Sequence, residues 1–231
     1  MGSRGVEEPI SSMKFQKTKR CLLSLALLCL AISPVMAEEL NIDELASSEV
    51  GTFPKDWKTY PFHYGKAERV YKVAQEAGRR VLRAEDFEDI SVPIFKDFNW
   101  DVSKYPYLKF RWRAVKVPAG SRETSTATND SACAVYVGFG RTSALKYVWS
   151  ASLTEGSYWA KNPGKFYIIS KQMGKVGSWV EETVAVADDY QKYFDRVMEK
   201  NPSGIGVMTD GNATHQPAAC DYADFRISTA P

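Results

Sequence analysis

The sequence predicts a mainly all-β chain: an antiparallel β-sandwich with one short inserted helix. Three observations predict it. About eight short segments carry apolar residues in period-two alternation, turn residues separate them, and a single stretch shows helical spacing. No alternation of strand with helix calls for a parallel sheet, so two stacked antiparallel layers are the expected way to bury the apolar faces.

The chain opens on an address. Basic Lys14, Lys17, Lys19 and Arg20 precede the apolar run Cys21 to Ile32, and Ser33-Pro34 and Val35-Met36-Ala37 follow. This is the n-region, h-region and cleavage-site order of a secretory signal. The run is about 12 residues, short of the ~20 that span a bilayer. Residues 1–37 are therefore expected to be a signal peptide with an upstream extension, Met13 being the natural start. Cleavage after Ala37 would leave a periplasmic or extracellular protein with no stable membrane span.

The 231 residues hold 30 Lys+Arg against 28 Asp+Glu. The leader carries five of the basic residues and two of the acidic ones, which leaves 25 against 26. That balance gives no electrostatic case for nucleic acid. Cys133 and Cys220 remain as a pair in an oxidising compartment. They either form a disulfide or stay as two separate buried thiols, and without a histidine cluster they make no zinc site.

Residues 38–52 read as an acidic lead-in, and 53–229 as a single domain with no internal repeat or dividing linker. The expected strands are Arg79 to Ala84, Leu108 to Ala114, Cys133 to Phe139, Lys146 to Ala151, Lys165 to Lys171, Trp179 to Val186, Gly204 to Asp210 and Tyr222 to Ser228. In the clearest, Leu108, Phe110, Trp112 and Ala114 share one face and Lys109, Arg111 and Arg113 the other. In another, Cys133, Val135, Val137 and Phe139 oppose Ala134, Tyr136 and Gly138. Between them, Ser/Thr-rich 120–132 is expected as an exposed loop. Asp188 to Lys200 is the expected helix: Tyr190, Phe194 and Val197 follow helical spacing, and Asp188-Asp189 suits an N-terminus.

Several pieces in this order resemble the bacterial family DUF3047. They are YPYLKFRWRA (105–114), AVYVGFG (134–140), YVWS (147–150), WVEE (179–182), DDYQKYF (188–194), GIGVMTDGNAT (204–214) and DYADFRI (221–227). The likeness spans roughly 53–229. It implies a galactose-binding-like jelly roll, an architecture shared by many carbohydrate-binding modules, and it implies no activity, since fold alone does not supply function.

The chemistry is sparse. His63 and His215 stand in no local hydrolase or zinc-peptidase motif, and His63 is expected as a loop residue. Glu181 and Glu182 are adjacent, so on a strand they point to opposite faces and cannot form a glycosidase acid/base pair. One is expected to be solvated and the other paired with an arginine.

Asp210, Asn212 and His215 lie together after an apolar strand. They suit sugar hydroxyls or, with backbone oxygens, a structural calcium; the alternative is an Asx turn in which Asp210 and Asn212 bond their own backbone. Arg111 and Arg113, with Tyr147, Tyr158 and Trp159, suit stacking and hydroxyl recognition on a sugar, while Trp112 and Trp149 are expected in the core. The candidate ligand residues are thus Arg111, Arg113, Tyr147, Tyr158, Trp159, Asp210, Asn212 and His215. No catalytic residue and no cofactor are assigned.

The function these features favour is a secreted or periplasmic, non-catalytic module that binds polysaccharide or an envelope glycan. The alternatives are an envelope structural or protein-interaction module and a glycan-acting hydrolase.

Overall fold

The computed structural model describes residues 37–231. The signal peptide and upstream extension expected over residues 1–37 lie outside the described residues, save Ala37. Strand β1 (Glu39–Asn41) and a 3-10 turn at Leu45–Ser47 begin the fold. Helix α1 (Tyr64–Val70) and strands β2 (Tyr71–Glu76), β3 (Arg79–Asp86), β4 (Ile94–Asp97) and β5 (Tyr107–Lys116) follow. Next come β6 (Ser131–Phe139), β7 (Ser143–Ser150), β8 (Tyr158–Asn162), β9 (Phe166–Met173) and β10 (Val180–Ala185). Helix α2 (Val186–Phe194) precedes β11 (Gly204–Asp210) and β12 (Ala218–Ser228).

The strands form two sheets. The first runs β10-β5-β12-β3-β2 with β1 beside the end of β12, and the second runs β4-β11-β6-β7-β9-β8. All pairings are antiparallel except β7 with β9. That exception arises because β8 is laid down at the sheet edge and β9 returns between it and β7. The expected alternation holds: Leu108, Phe110, Trp112 and Ala114 of β5 face Cys133, Val135, Val137, Leu145 and Trp149 of the second sheet in one core. Trp112 and Trp149 meet there edge to face at 5.9 Å.

Cys133 on β6 and Cys220 on β12 are disulfide-bonded through the middle of this core, with Cα atoms 5.4 Å apart. The bond joins one sheet to the other.

The helix is shorter than its pattern suggests and begins two residues earlier. It stops at Phe194 because Asp195 turns left-handed (φ 53°) and its N–H closes on the Gln191 carbonyl. Its Tyr190 and Phe194 pack on Phe139 and Tyr167, which closes one open side of the sandwich. A second helix, α1, has no counterpart among the expected elements.

The loop 120–132 is not simply exposed. The Glu123 carboxylate is buried and accepts the Ala151 N–H (3.0 Å) and the Ser152 hydroxyl (2.6 Å). Asp130 accepts the N–H groups of Ala213 (3.0 Å) and Thr214 (2.7 Å). Polar composition signals turns, but here two of the polar side chains serve as internal acceptors for neighbouring backbone.

Candidate functional site

Each sheet has an outward face, and the two differ in chemistry. On the first sheet Arg113 reaches Asp221, which is fully buried, and Glu76 at 2.7 Å. Arg83 holds the other side of Asp221 at 2.9 Å, and Arg111 pairs with Asp224 at 3.2 Å. Trp179 lies against both guanidinium groups, 4.9 Å from Arg113 and 5.1 Å from Arg111. The arginines expected to bind ligand are therefore committed to an internal network. Their carboxylates come from β12 and β2, not from Glu181 or Glu182.

Glu181 instead pairs with Arg226. Glu182 is neither solvated nor arginine-paired: it is buried, accepts from Gln172 Nε2 at 2.8 Å, and burial pushes its carboxyl above the usual range.

The outward face of the second sheet is open. Reading across the strand register, one row runs Phe95, Gly206, Tyr136, Lys146, Ile168, Trp159. The next runs Asp97, Gly204, Gly138, Ala144, Phe166. Gly138, Gly204 and Gly206 thus lie together on two paired strands and leave a floor with no side chains. Aromatic rings stand on either side of it: Tyr60 and Phe95 are 5.2 Å apart on one, and Tyr136 and Phe166 are 6.2 Å apart on the other.

The result is a cleft of about 410 Å³, lined also by the Lys58–Asp97 ion pair and by Arg141 at the β6–β7 hairpin. Its size lies within the range of small-ligand sites. Close packing leaves no room for a Cβ at two of these glycines. At Gly204 (φ +144°) a Cβ would sit 2.3 Å from the Lys96 carbonyl oxygen, and at Gly206 2.9 Å from the Phe95 ring.

Beyond Met208 the sheet carries a polar end. A bulge between Met208 and Asp210 breaks the β11–β6 register. Two fully buried tyrosines satisfy the backbone there: Tyr222 donates to the Met208 carbonyl (2.9 Å) and accepts the Ala134 N–H (3.1 Å), and Tyr71 accepts the Thr209 N–H (3.3 Å). Alternation along β11 keeps Thr209 in the interior, bonded to the Ala132 carbonyl (2.7 Å), and Asp210 on the outward side; the extra residue lies on β6 and brings Ser131 opposite Asp210.

Asp210 accepts the Ser131 N–H at 3.1 Å, while buried Lys146 donates to Ser131 Oγ at 3.1 Å with its ammonium against the Tyr136 ring. Burial raises the Asp210 carboxyl to about 6, partly offset by the charge of Lys146. The native state thus holds this proton more tightly than the unfolded chain. The buried acid's contribution is fully favourable below about pH 4 and is lost as pH rises through about 6. Asp210→Asn is accordingly expected to melt higher than the wild type at about pH 7.5 and at the same temperature near pH 4, as thermal denaturation at the two pH values would show.

The other candidate residues do not gather on this face. Tyr147 is fully buried in the core and donates to Asp189 of α2 at 2.8 Å, so it cannot stack on a ligand. Tyr158 and Trp159 lie on strand β8, not in a loop. Trp159 faces outward over Ile168, whereas Tyr158 points the other way and packs on Tyr193 at 5.0 Å.

Asn212 and His215 are exposed at the sandwich end, where His215 Nδ1 lies 2.7 Å from Asp89. The expected Asx turn is built differently. Asp86 accepts from Ile90 and Gly211 and Asp130 from Ala213 and Thr214, so the loop is held by carboxylates from elsewhere in the chain. Those oxygens are occupied by N–H donors. Among the described residues no cluster of three or more His, Cys, Asp or Glu is placed to hold a metal ion.

Of the eight candidates, then, Trp159 and Asp210 share the outward face of the second sheet. The cleft residues Tyr60, Phe95, Tyr136 and Phe166 were not singled out by sequence reading. One signal existed: Gly204 and Gly206 are two apart and so share a face, and Gly138 shares a face with Tyr136 on another strand.

The sequence profile of the family described as "Protein of unknown function (DUF3047)" matches residues 55–226. No curated protein matches the chain. Solved structures resemble it at low identity. A cleaved adhesin domain of Lys-gingipain from Porphyromonas gingivalis W83 is 12% identical, with 85% of this chain and 99% of that one covered and a TM-score of 0.40. A family 29 carbohydrate-binding module from Piromyces equi is 12% identical over 85% and 93% of the two chains, with a TM-score of 0.34. A family 29 module complexed with cellulohexaose is 11% identical over 85% and 94%, with a TM-score of 0.37. Similarity at this level bears on neither ligand nor activity.

Proposed function

We propose that this chain, which belongs to the DUF3047 family, is exported to the periplasm or the extracellular space and binds glycan there without cleaving it. The observation that carries the reading is the cleft on the second sheet: a glycine floor between two pairs of aromatic rings, with polar side chains at the rim. Sugar rings present flat C–H faces and a girdle of hydroxyls. A site for them needs ring-width space, aromatic faces to stack on, and donors and acceptors at the edge. The Lys58–Asp97 pair, Arg141 and Ser203 supply that edge.

The test is retention of the purified protein by polysaccharide, read by affinity electrophoresis. Tyr60 is half exposed and meets Phe95 edge to face, so Tyr60→Ala removes a wall without opening the core. It is expected to weaken retention about tenfold or more, equivalent to ~1.4 kcal/mol, with the melting temperature unchanged. Equal retention of both proteins would refute the cleft as the site.

A protein-interaction role draws on a different observation. Phe62 is fully exposed and held at φ +68°, a strained backbone for a bulky residue. Absence of retention on every polysaccharide, together with a co-purifying protein lost on Phe62→Ala, would favour that role.

A further inference from the structure

The charge around the cleft differs from that of the chain. The cleft shares Phe166 with a hollow beside Lys161, and it shares Gly140 and Ser203 with another that is lined by Arg196, Glu199 and Lys200. The three form one continuous tract over the second sheet and its end. Along it stand five basic side chains (Lys58, Lys161, Arg141, Arg196, Lys200) against two acidic ones (Asp97, Glu199). Residues 37–231 as a whole hold 25 basic against 26 acidic, so the excess is local.

One of the tract's two carboxylates is already used: Asp97 is ion-paired with Lys58. Among the described residues Arg141, Lys161 and Lys200 make no salt bridge, and they are spread along the tract rather than clustered at one point. Under the same face the charges of buried Lys146 and Asp210 offset one another. Lys161 is partly desolvated and repelled by Lys146, and both effects lower its affinity for a proton. An anion beside it would relieve that repulsion.

We infer that the ligand of this cleft is an acidic polysaccharide, a chain carrying carboxylate groups at successive sugars, with aromatic rings stacking on the sugars and spaced cations meeting the carboxylates. The inference rests on the glycan reading above and narrows it. Bidentate guanidinium–carboxylate contacts from Arg141 and Arg196 would add direction, and the lysines a screened attraction along the chain.

The test compares two soluble polymers, polygalacturonate and the neutral hydroxyethylcellulose, by affinity electrophoresis of the intact protein. Polygalacturonate is expected to retard it at least about tenfold more strongly. The effect should fade as NaCl rises from about 50 mM to about 300 mM. Arg141→Ala and Lys161→Ala should each weaken retention on polygalacturonate about three- to tenfold. Arg79→Ala, on the outward face of the first sheet, should leave it unchanged, which separates a built site from non-specific attraction to positive charge. Equal retention by both polymers, or an effect indifferent to salt and to Arg141, overturns the acidic class and leaves the glycan reading standing. Retention by neither polymer counts against both.

Discussion

The double variant Cys133→Ala, Cys220→Ala is expected to melt about 10 °C or more below the wild type. The two half-cystines are 87 residues apart in sequence. In the chain-entropy account, releasing a loop of that length gives the unfolded state about 4–5 kcal/mol of freedom. For a domain of this size each kcal/mol moves the melting temperature by about 2–4 °C. The native state suffers as well, because both sulfurs are buried at the centre of the core and alanine leaves a void there. The bond also joins β6 of one sheet to β12 of the other, so its loss frees the two layers from each other. Thermal melting of the wild type in strong reductant should move in the same direction. A loss below about 3 °C would show that the aromatic core alone fixes the layers.

The second large effect is expected at Asp221. Its side chain is fully buried and bridges Arg83 and Arg113. Asp221→Ala removes the acceptor and leaves Arg113, whose side chain is 17% exposed, short of one of its two partners. Breaking a buried pair from one side costs about 3–5 kcal/mol. Glu76 still holds Arg113, and Arg83 is 40% exposed and gains little from the pair, so a value near 3 kcal/mol is expected. Asp224 pairs with Arg111 on the same face but is 37% exposed, and Asp224→Ala should cost below about 1 kcal/mol. Urea denaturation of the two variants gives the comparison. Equal costs would contradict the reading of burial as the deciding factor.

The network also explains why the first sheet misled sequence reasoning. Arg111 and Arg113 alternate on a polar strand face, and such a face is compatible with ligand recognition or with internal pairing. Which of the two holds depends on β12 lying beside β5 with Asp221 opposite Arg113. That pairing joins residues 108 apart, and no local pattern reveals it. Tyr147 shows the same limit. It alternates with Val148 and the strand is buried on both faces, so period two cannot say which side meets solvent.

What was legible is the architecture: alternation in LKFRWRA and CAVYVGF placed the correct residues inward, and the turn residues fell between the strands. Short elements escaped. The strand β4 has four residues, and β8 carries aromatics in a segment that reads as loop because glycine and proline flank it. The cleft depends on both, since β4 supplies Phe95 and β8 borders Phe166. Its walls therefore come from the elements with the weakest sequence signals, while its floor of glycines was visible.

The most direct test of the cleft as the ligand site is a crystal of the protein soaked with an oligosaccharide of the polymer that retains it. The account predicts sugar density over Gly138 and Gly206, between the Tyr60–Phe95 and Tyr136–Phe166 walls. Density over Trp179 and Arg111 on the opposite sheet, with the cleft empty, would contradict it.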